Sequence, residues 1–348
     1  MLQTLEIQNI RSYQNGLFEF SEGVNIVVGP NASGKTNLLE AVHLLATGNA
    51  FKSSDEEMLR RDCDWARIDA TFSIENRSVK IKAHPLKKSF MFDDIEKNRL
   101  SKNTILPIVL FEPGTMLLLS SEPERRRSYV DGVLKATQPY YSSLLQKYKR
   151  ALAQRNRLLK RDEVQPSDMF VWDIQLCELA GQVVEARQAY ITRINKDLTK
   201  KYRSVSGNKE NFQLKYESKQ DMANYAGSFA EKLKDQFDLD RIRGFTGAGP
   251  HRDDIVFLLD GKDARSSASR GETRSLILAL KISELHLIEE ASQKKPLLLL
   301  DDVFSELDGK RRQTLAKTLQ NYQTIITTTD ADVVMDHFTD CNIIPITN

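Results

Sequence analysis

The chain is poor in the residues that would commit it to several common functions. Cysteine occurs three times in 348 residues, as Cys63, Cys177 and Cys341. They are far apart and form no C-x-x-C pair, so neither a disulfide framework nor a zinc site is indicated, and a reduced, cytoplasmic setting is expected. Long hydrophobic runs are also missing. Near the C-terminal end the longest, Pro296 to Leu300, falls far short of the ~20 residues that cross a bilayer. The first residues, Met1 to Ile7, alternate as a strand does and lack the basic start and apolar core of an export signal. Neither export nor a membrane partner is expected. Nor is there an excess of charge of one sign: 50 Lys and Arg stand against 48 Asp and Glu, a formal charge of +2, so only local clustering can speak for a nucleic-acid partner. Trp65 and Trp172 are the two tryptophans; each is isolated, which suits packing better than a base-stacking platform. There is no internal repeat, low-complexity tract or sustained heptad run.

What is present is more pointed. The apolar run Asn25 to Val28 leads into Gly29-Pro30-Asn31-Ala32-Ser33-Gly34-Lys35-Thr36, and Asn37 opens a helical pattern. Strand, glycine-bounded loop and helix are the order that phosphate binding requires. Backbone N–H groups and the positive end of the helix surround the β- and γ-phosphates, Lys35 reaches across them, and the Thr36 hydroxyl is a Mg²⁺ ligand. A nucleoside triphosphate, ATP with Mg²⁺, is therefore expected. Far along the chain, Leu297 to Leu300 form an apolar strand ending in Asp301 and Asp302, the form of a Walker B element. Asp301 is then the natural Mg²⁺ partner of Thr36, and Asp302 is placed to orient or deprotonate an attacking water. Taken alone, the same residues also suit a buried strand whose Asp pair caps the next helix.

Residues 1–122 read as a mixed, β-rich segment with the Walker A loop. The expected strands are Leu2–Ile7, Leu17–Phe20, Asn25–Val28, Arg67–Ile74, Ser78–Ala83 and Ile105–Phe111. Residues 123–208 read as long helices, interrupted near Gln165-Pro166-Ser167-Asp168, which suits a helix N-cap. Residues 209–348 return to strand periodicity and then to an α/β pattern. Within it, Ser269-Arg270-Gly271-Glu272 opens a helix, and Ser305-Glu306-Leu307-Asp308 follows the Walker B strand.

These last two stretches resemble the signature motif and the D-loop of ABC-type ATPases. The resemblance implies an α/β ABC-type ATPase head, with a mixed β lobe, a parallel-sheet lobe and an inserted helical arm. It also implies that Ser269 and Gly271 bind the γ-phosphate held by a partner subunit, so that two copies sandwich ATP as a homodimer. A plain Ser N-cap is the other reading of Ser269. Further stretches are similar to the RecF family of bacterial recombination mediators: Leu5 to Tyr13, Phe111-Glu112-Pro113, Pro123 to Asp131, Tyr148 to Asn156, and Gly249 to Asp254. Membership implies an ATP-dependent DNA-binding protein of gap repair, SOS induction and replication restart, with RecR and RecO as partners and slow, DNA-dependent ATP hydrolysis. It also implies a nucleotide contact for Arg11. A nucleotide-gated scaffold with secondary DNA contact is the alternative. Arg270 and Glu272 depart from the small and amide residues more usual in the signature, and Asp302 reaches one methylene less far than the glutamate of fast ABC ATPases.

For DNA, the segment Lys147 to Arg161 holds seven basic residues and no acid. On a helix, Lys147, Arg150, Arg157 and Arg161 share a wedge of about 80°, a stripe able to follow a phosphate backbone without base readout. A solvated face, or ion pairs to acidic neighbours, fits the same pattern. Arg126 and Arg127 suit phosphate or an Arg–Asp brace, and His251 suits a ligand site or a tight turn.

Overall fold

Four consecutive leucines can be buried together only in a strand covered on both faces. The computed structural model, which describes residues 1–101 and 104–346, places Leu297–Asp301 in such a strand. Its sheet has five parallel strands in the order Cys341–Pro345, Val24–Val28, Thr324–Thr328, Leu297–Asp301 and Ile108–Phe111. Strands from both ends of the sequence thus build one sheet. A six-stranded antiparallel sheet, in the order Tyr13–Glu19, Leu2–Ile10, Trp65–Phe72, Asn76–Lys82, Lys87–Phe92 and Ile95–Lys97, joins it in one unit. Its strands alternate buried and exposed residues, as a sheet with one wet face must. The helix Lys35–Thr47 shares a single core with both sheets: Leu38, Leu39 and Val42 cluster with Leu5 and Ile7 of one and Leu299 and Ile325 of the other. Each such side chain stabilises the fold by roughly 1.5–3 kcal/mol, and together they hold the start of that helix in place.

This unit comprises Met1–Met116 and Glu284–Asn348; Leu117–Ser283 form a second. The grouping differs from the segments expected at 123–208 and 209–348, because residues 209–283 go with the helices. The reason is local pairing. Asn195 and Thr199 of the helix Pro166–Ser206 hydrogen-bond the backbone of Leu214 and Phe212, capturing the strand Phe212–Glu217. That strand pairs with Asp254–Leu259, which pairs with Lys262–Asp263. The long helix has 41 residues, about 60 Å. It starts with the expected cap, a reciprocal Gln165–Asp168 capping box, and ends at left-handed Gly207. Elements not anticipated are the strands Lys87–Phe92, Ile95–Lys97 and Cys341–Pro345 and the helices Tyr225–Asp235 and Phe237–Arg243. Between the strand Lys262–Asp263 and Ser269 lies a further helical turn, Ala264–Ser267.

Buried ion pairs hold the second unit together. Arg155 is fully buried and bonds Asp173 at 2.6 Å, Asp240 at 2.8 Å and the Thr246 hydroxyl at 2.8 Å. Arg187 grips Asp131 with two bonds of 2.9 and 3.0 Å. Arg126 does the same to Asp254, and Arg127 donates to the Asp253 carbonyl. Of the alternatives for Arg126 and Arg127, the geometry is that of the brace. His251 is likewise a packed turn residue: Nε2 lies 3.1 Å from the Thr246 carbonyl and Nδ1 lies 2.6 Å from the Tyr148 hydroxyl. The carbonyl requires Nε2–H, so Nδ1 accepts from tyrosine.

Burial lowers the His251 pKa to about 4. The unfolded chain therefore binds one more proton between about pH 6.5 and 4, and stability present above that window falls as the pH drops through it. We expect the wild-type protein to lose stability across this interval with a slope steeper by about one proton than that of His251→Gln in parallel urea titrations. Parallel curves would show that His251 titrates as in the unfolded chain.

Candidate functional site

The loop between the strand Val24–Val28 and the helix Lys35–Thr47 is shaped by two glycines. Gly34 caps the helix at φ 100°, a left-handed conformation, and a Cβ there would stand 2.6 Å from Ser12 Oγ and 3.0 Å from the Tyr13 hydroxyl. A Cβ on Gly29 would meet the Ile346 carbonyl and Ser33 Oγ at 2.7 Å. Lys35 spans the loop, its Nζ donating to the Gly29 and Pro30 carbonyls at 2.8 and 2.9 Å. Pro30, Asn31 and Ala32 form the exposed crest. Ser33 Oγ is buried without a hydrogen-bond partner, which is costly unless an anion or water takes it. Orphaned hydroxyl, ammonium and helix N-terminus together fit a phosphate.

The Walker B acids arrive from the far end of the chain. Thr36 Oγ1 donates to Asp301 Oδ1 at 2.7 Å, across 265 residues of sequence. The strand Thr324–Thr328 lies between the two strands that carry them, and its Thr327 hydroxyl sits 3.1 Å from the same Oδ1. The other oxygen, Oδ2, is ion-paired to Lys52 at 2.6 Å. Asp302 takes a left-handed φ of 53°; its N–H donates to Thr327 Oγ1 at 3.0 Å, and its carboxylate accepts from Ser305 at 3.1 Å. Two hard oxygens held side by side suit Mg²⁺. Among the described residues no three His, Cys, Asp or Glu side chains gather as a cation cage. The ion would thus rest on Thr36 and Asp301 and take its remaining ligands from phosphate and water.

A second buried carboxylate organises the surroundings. Glu40, 1% exposed, accepts from the Lys52 N–H at 3.0 Å, from the Ser53 hydroxyl at 2.9 Å and from Arg11 at 3.2 Å. Arg11 also donates to Ser53. The turn that follows docks on the loop: the Tyr13 hydroxyl donates to the Gly34 carbonyl at 3.1 Å, and Asn37 donates to Ser12 at 3.0 Å. Burial pushes the Tyr13 pKa up, so it stays a donor. Arg11 through Tyr13, the phosphate loop, Asn37, Asp301 and Asp302 therefore converge. Lys52, Glu40 and Thr327 belong to the same cluster, although sequence reasoning did not single them out. Only Glu40 carried a signal, an acid inside the apolar run Leu38 to Val42, where a buried charge demands partners.

Ser269 and Gly271 lie in the other unit, where Ser269 caps the 23-residue helix Arg270–Ser292. It forms a reciprocal capping box with Glu272: the Ser269 N–H donates to Glu272 at 2.7 Å, and the Glu272 N–H donates to Ser269 Oγ at 3.3 Å. These bonds hold the Glu272 carboxyl below the usual carboxylate range. The plain N-cap reading is thus present in the structure. Of the basic stripe, Lys147, Arg150 and Arg157 are exposed on the helix Tyr141–Leu159, and their side chains make no ion pair among the described residues. Arg161 lies beyond the end of that helix, so the helical spacing does not extend to it. Arg155, counted among the seven cations, belongs to the buried network.

The family model described as RecF/RecN/SMC N terminal domain matches residues 1–344. The chain is similar to "DNA replication and repair protein RecF" of Agathobacter rectalis, 36% identical over 95% of this chain and 93% of that protein. It is similar to the protein of the same name from Bacillus subtilis, 33% identical over 97% and 95%. A solved structure titled as the recombination mediator protein RecF-ATP in the RecFOR pathway superposes with a TM-score of 0.84, at 30% identity, over 94% of this chain and 92% of that one. An Smc head bound to a winged-helix domain of ScpA, at 15% identity and a TM-score of 0.54, shares the fold.

Thr36→Val keeps the side-chain shape and removes the hydroxyl. We expect ATP affinity measured in EDTA to be unchanged and the gain on adding Mg²⁺ to fall about tenfold, the size of a hydrogen bond to a charged group. An equal Mg²⁺ gain in both proteins would take Thr36 out of the metal site.

Proposed function

The chain belongs to the RecF family, and from that premise we propose that it is an ATP-dependent DNA-binding protein of recombinational repair and replication restart. The observation that carries this reading is the Thr36–Asp301 contact behind a phosphate loop whose Ser33 hydroxyl is buried and orphaned. ATP binds with its phosphates on Gly29 to Asn37 and Mg²⁺ on Thr36 and Asp301. The ion neutralises phosphate charge when bound. Lys35 orients the β- and γ-phosphates, and Arg11 lies beside the loop for a further contact. The Ser269 hydroxyl and the N–H groups at the start of its helix, Gly271 included, receive the γ-phosphate of a second copy, making ATP the glue of a homodimer.

Hydrolysis is slow. Asp302 is shorter than glutamate and its carboxylate is tied to Ser305, so it holds a water poorly, and turnover serves to open the dimer rather than to drive movement. DNA lies on the exposed cations Lys147, Arg150 and Arg157, with Arg161 beside them. RecR and RecO are partners by family resemblance, and the RecFOR name of the solved relatives' pathway supports them.

Ser269→Arg fills the helix N-terminus with a cation. ATP binding should persist while the ATP-dependent dimer disappears in light scattering. A dimer that survives refutes the shared-nucleotide arrangement. Replacing Lys147, Arg150 and Arg157 together by Ala should weaken duplex binding and reduce the slope of log K against log salt by about two to three. An unchanged slope removes this helix from the DNA path.

A further inference from the structure

The wet face of the six-stranded antiparallel sheet carries an arrangement that the nucleotide site does not use. Register places Gln8, Arg67, Lys80 and Ser89 in one cross-strand row, and Trp65, Lys82 and Lys87 in the next. The two rows line adjoining depressions of about 460 and 300 Å³ that share Arg67, Lys80 and Lys82. Lys82 and Lys87 stand directly opposite each other, a like-charge pair that destabilises a sheet. Yet Lys80, Lys82 and Lys87 have no ion pair among the described residues, and Arg67 alone is paired, to Asp69 at 2.7 Å. Of the acids lining the depressions, Asp64 sits at one rim, 3.8 Å from His84, and Glu96 at the other, while Glu6 and Asp69 stand in the next row of the same face. Trp65, 40% exposed, lies among the cations instead of in the core.

An exposed indole beside unpaired lysines is suited to a polymer with phosphates and accessible base faces. In a duplex the bases are stacked on one another and offer no face to an indole, whereas a single strand does. We propose that this face binds single-stranded DNA, with one base stacked on Trp65 and backbone phosphates on Lys80, Lys82 and Lys87. Lys80 and Lys82 are two residues apart on one strand, about 6.7 Å, and Lys87 is one strand spacing away. The cations therefore lie along a track that begins at the indole. Gln8 and Arg67 are bonded to Glu6 and Asp69, which leaves stacking and phosphate contact to supply the affinity, so binding is sequence-tolerant. The inference rests on the DNA-binding reading above and adds a second contact, specific for the single strand of a gap.

The test uses the full chain carrying Trp172→Phe, which leaves Trp65 as the one indole, titrated with oligodeoxythymidylate of 20 nucleotides and, separately, with duplex. Single strand should quench the indole emission. Trp65→Ala should weaken single-strand binding about tenfold and leave duplex and ATP binding unchanged, while Trp65→Phe restores part of the loss. Changing Lys80, Lys82 and Lys87 together to Gln should lower the single-strand salt slope by about two. Duplex binding without single-strand binding or quenching overturns this site and leaves the parent reading standing. Single-strand affinity unmoved by either the Trp65 or the lysine changes also overturns it, as does an equal loss for duplex and single strand. Failure of both DNAs to bind, with and without ATP, overturns the parent reading and this one together.

Discussion

A single carboxylate, Asp301, is the point on which the candidate nucleotide site turns. It is 3% exposed, and a charge so buried needs partners. They come from three separate stretches: the Thr36 hydroxyl from the start of the phosphate-loop helix, Thr327 from the neighbouring strand, and the Lys52 ammonium from the segment after that helix. Parallel strand order makes the meeting possible. With Thr324–Thr328 inserted between the two functional strands, the loop and the acids open at the same C-terminal edge of the sheet, where α/β folds place ligands. Glu40 repeats the device one turn further along the helix, tying Arg11 and the Lys52–Ser53 segment to the same frame. Positioning of the site is thus electrostatic at its centre and apolar around it.

The second unit uses charge differently. Arg126, Arg155 and Arg187 are nearly or wholly buried, and each is matched to Asp. Removing one partner of such a pair typically costs 3–5 kcal/mol, because the other charge is left in a low-dielectric interior. These arginines therefore hold helices and the small sheet together and are not available to DNA. By contrast, Lys147, Arg150 and Arg157 on the helix Tyr141–Leu159 and Lys80, Lys82 and Lys87 on the wet face of the antiparallel sheet make no ion pair among the described residues. A net charge of +2 conceals this division entirely.

Much of the fold could be read in advance where the signal was local. The phosphate loop, the acid-ended leucine strand, the Gln165 cap and the alternation of Arg67 to Phe72 depend on residues within a few positions of one another. Short elements escaped: Ile95–Lys97 is too brief to show a period, and Cys341–Pro345 has polar residues where its sheet neighbours are apolar. The end of the basic helix escaped as well, since Leu159 stops it before Arg161, and the 3.6-residue period carries no information about where a helix ends. Ser269 shows the limit from the other side. Its spacing to Glu272 forms a capping box, and a Ser opening a helix is also what the signature resemblance asks for, so the local pattern does not separate the two readings.

The sequence by itself determined the chemistry on offer, namely a phosphate loop, a pair of acids, a Ser-capped helix and clusters of cations, because each is written in contiguous residues. Which of those charges remain free was decided only by the tertiary structure. Arg155 meets Asp240 across 85 residues, Arg126 meets Asp254 across 128, and Thr36 meets Asp301 across 265. Local periodicity says nothing about such distant pairings, which follow from the order of strands in the sheets and from the cost of leaving a buried charge alone.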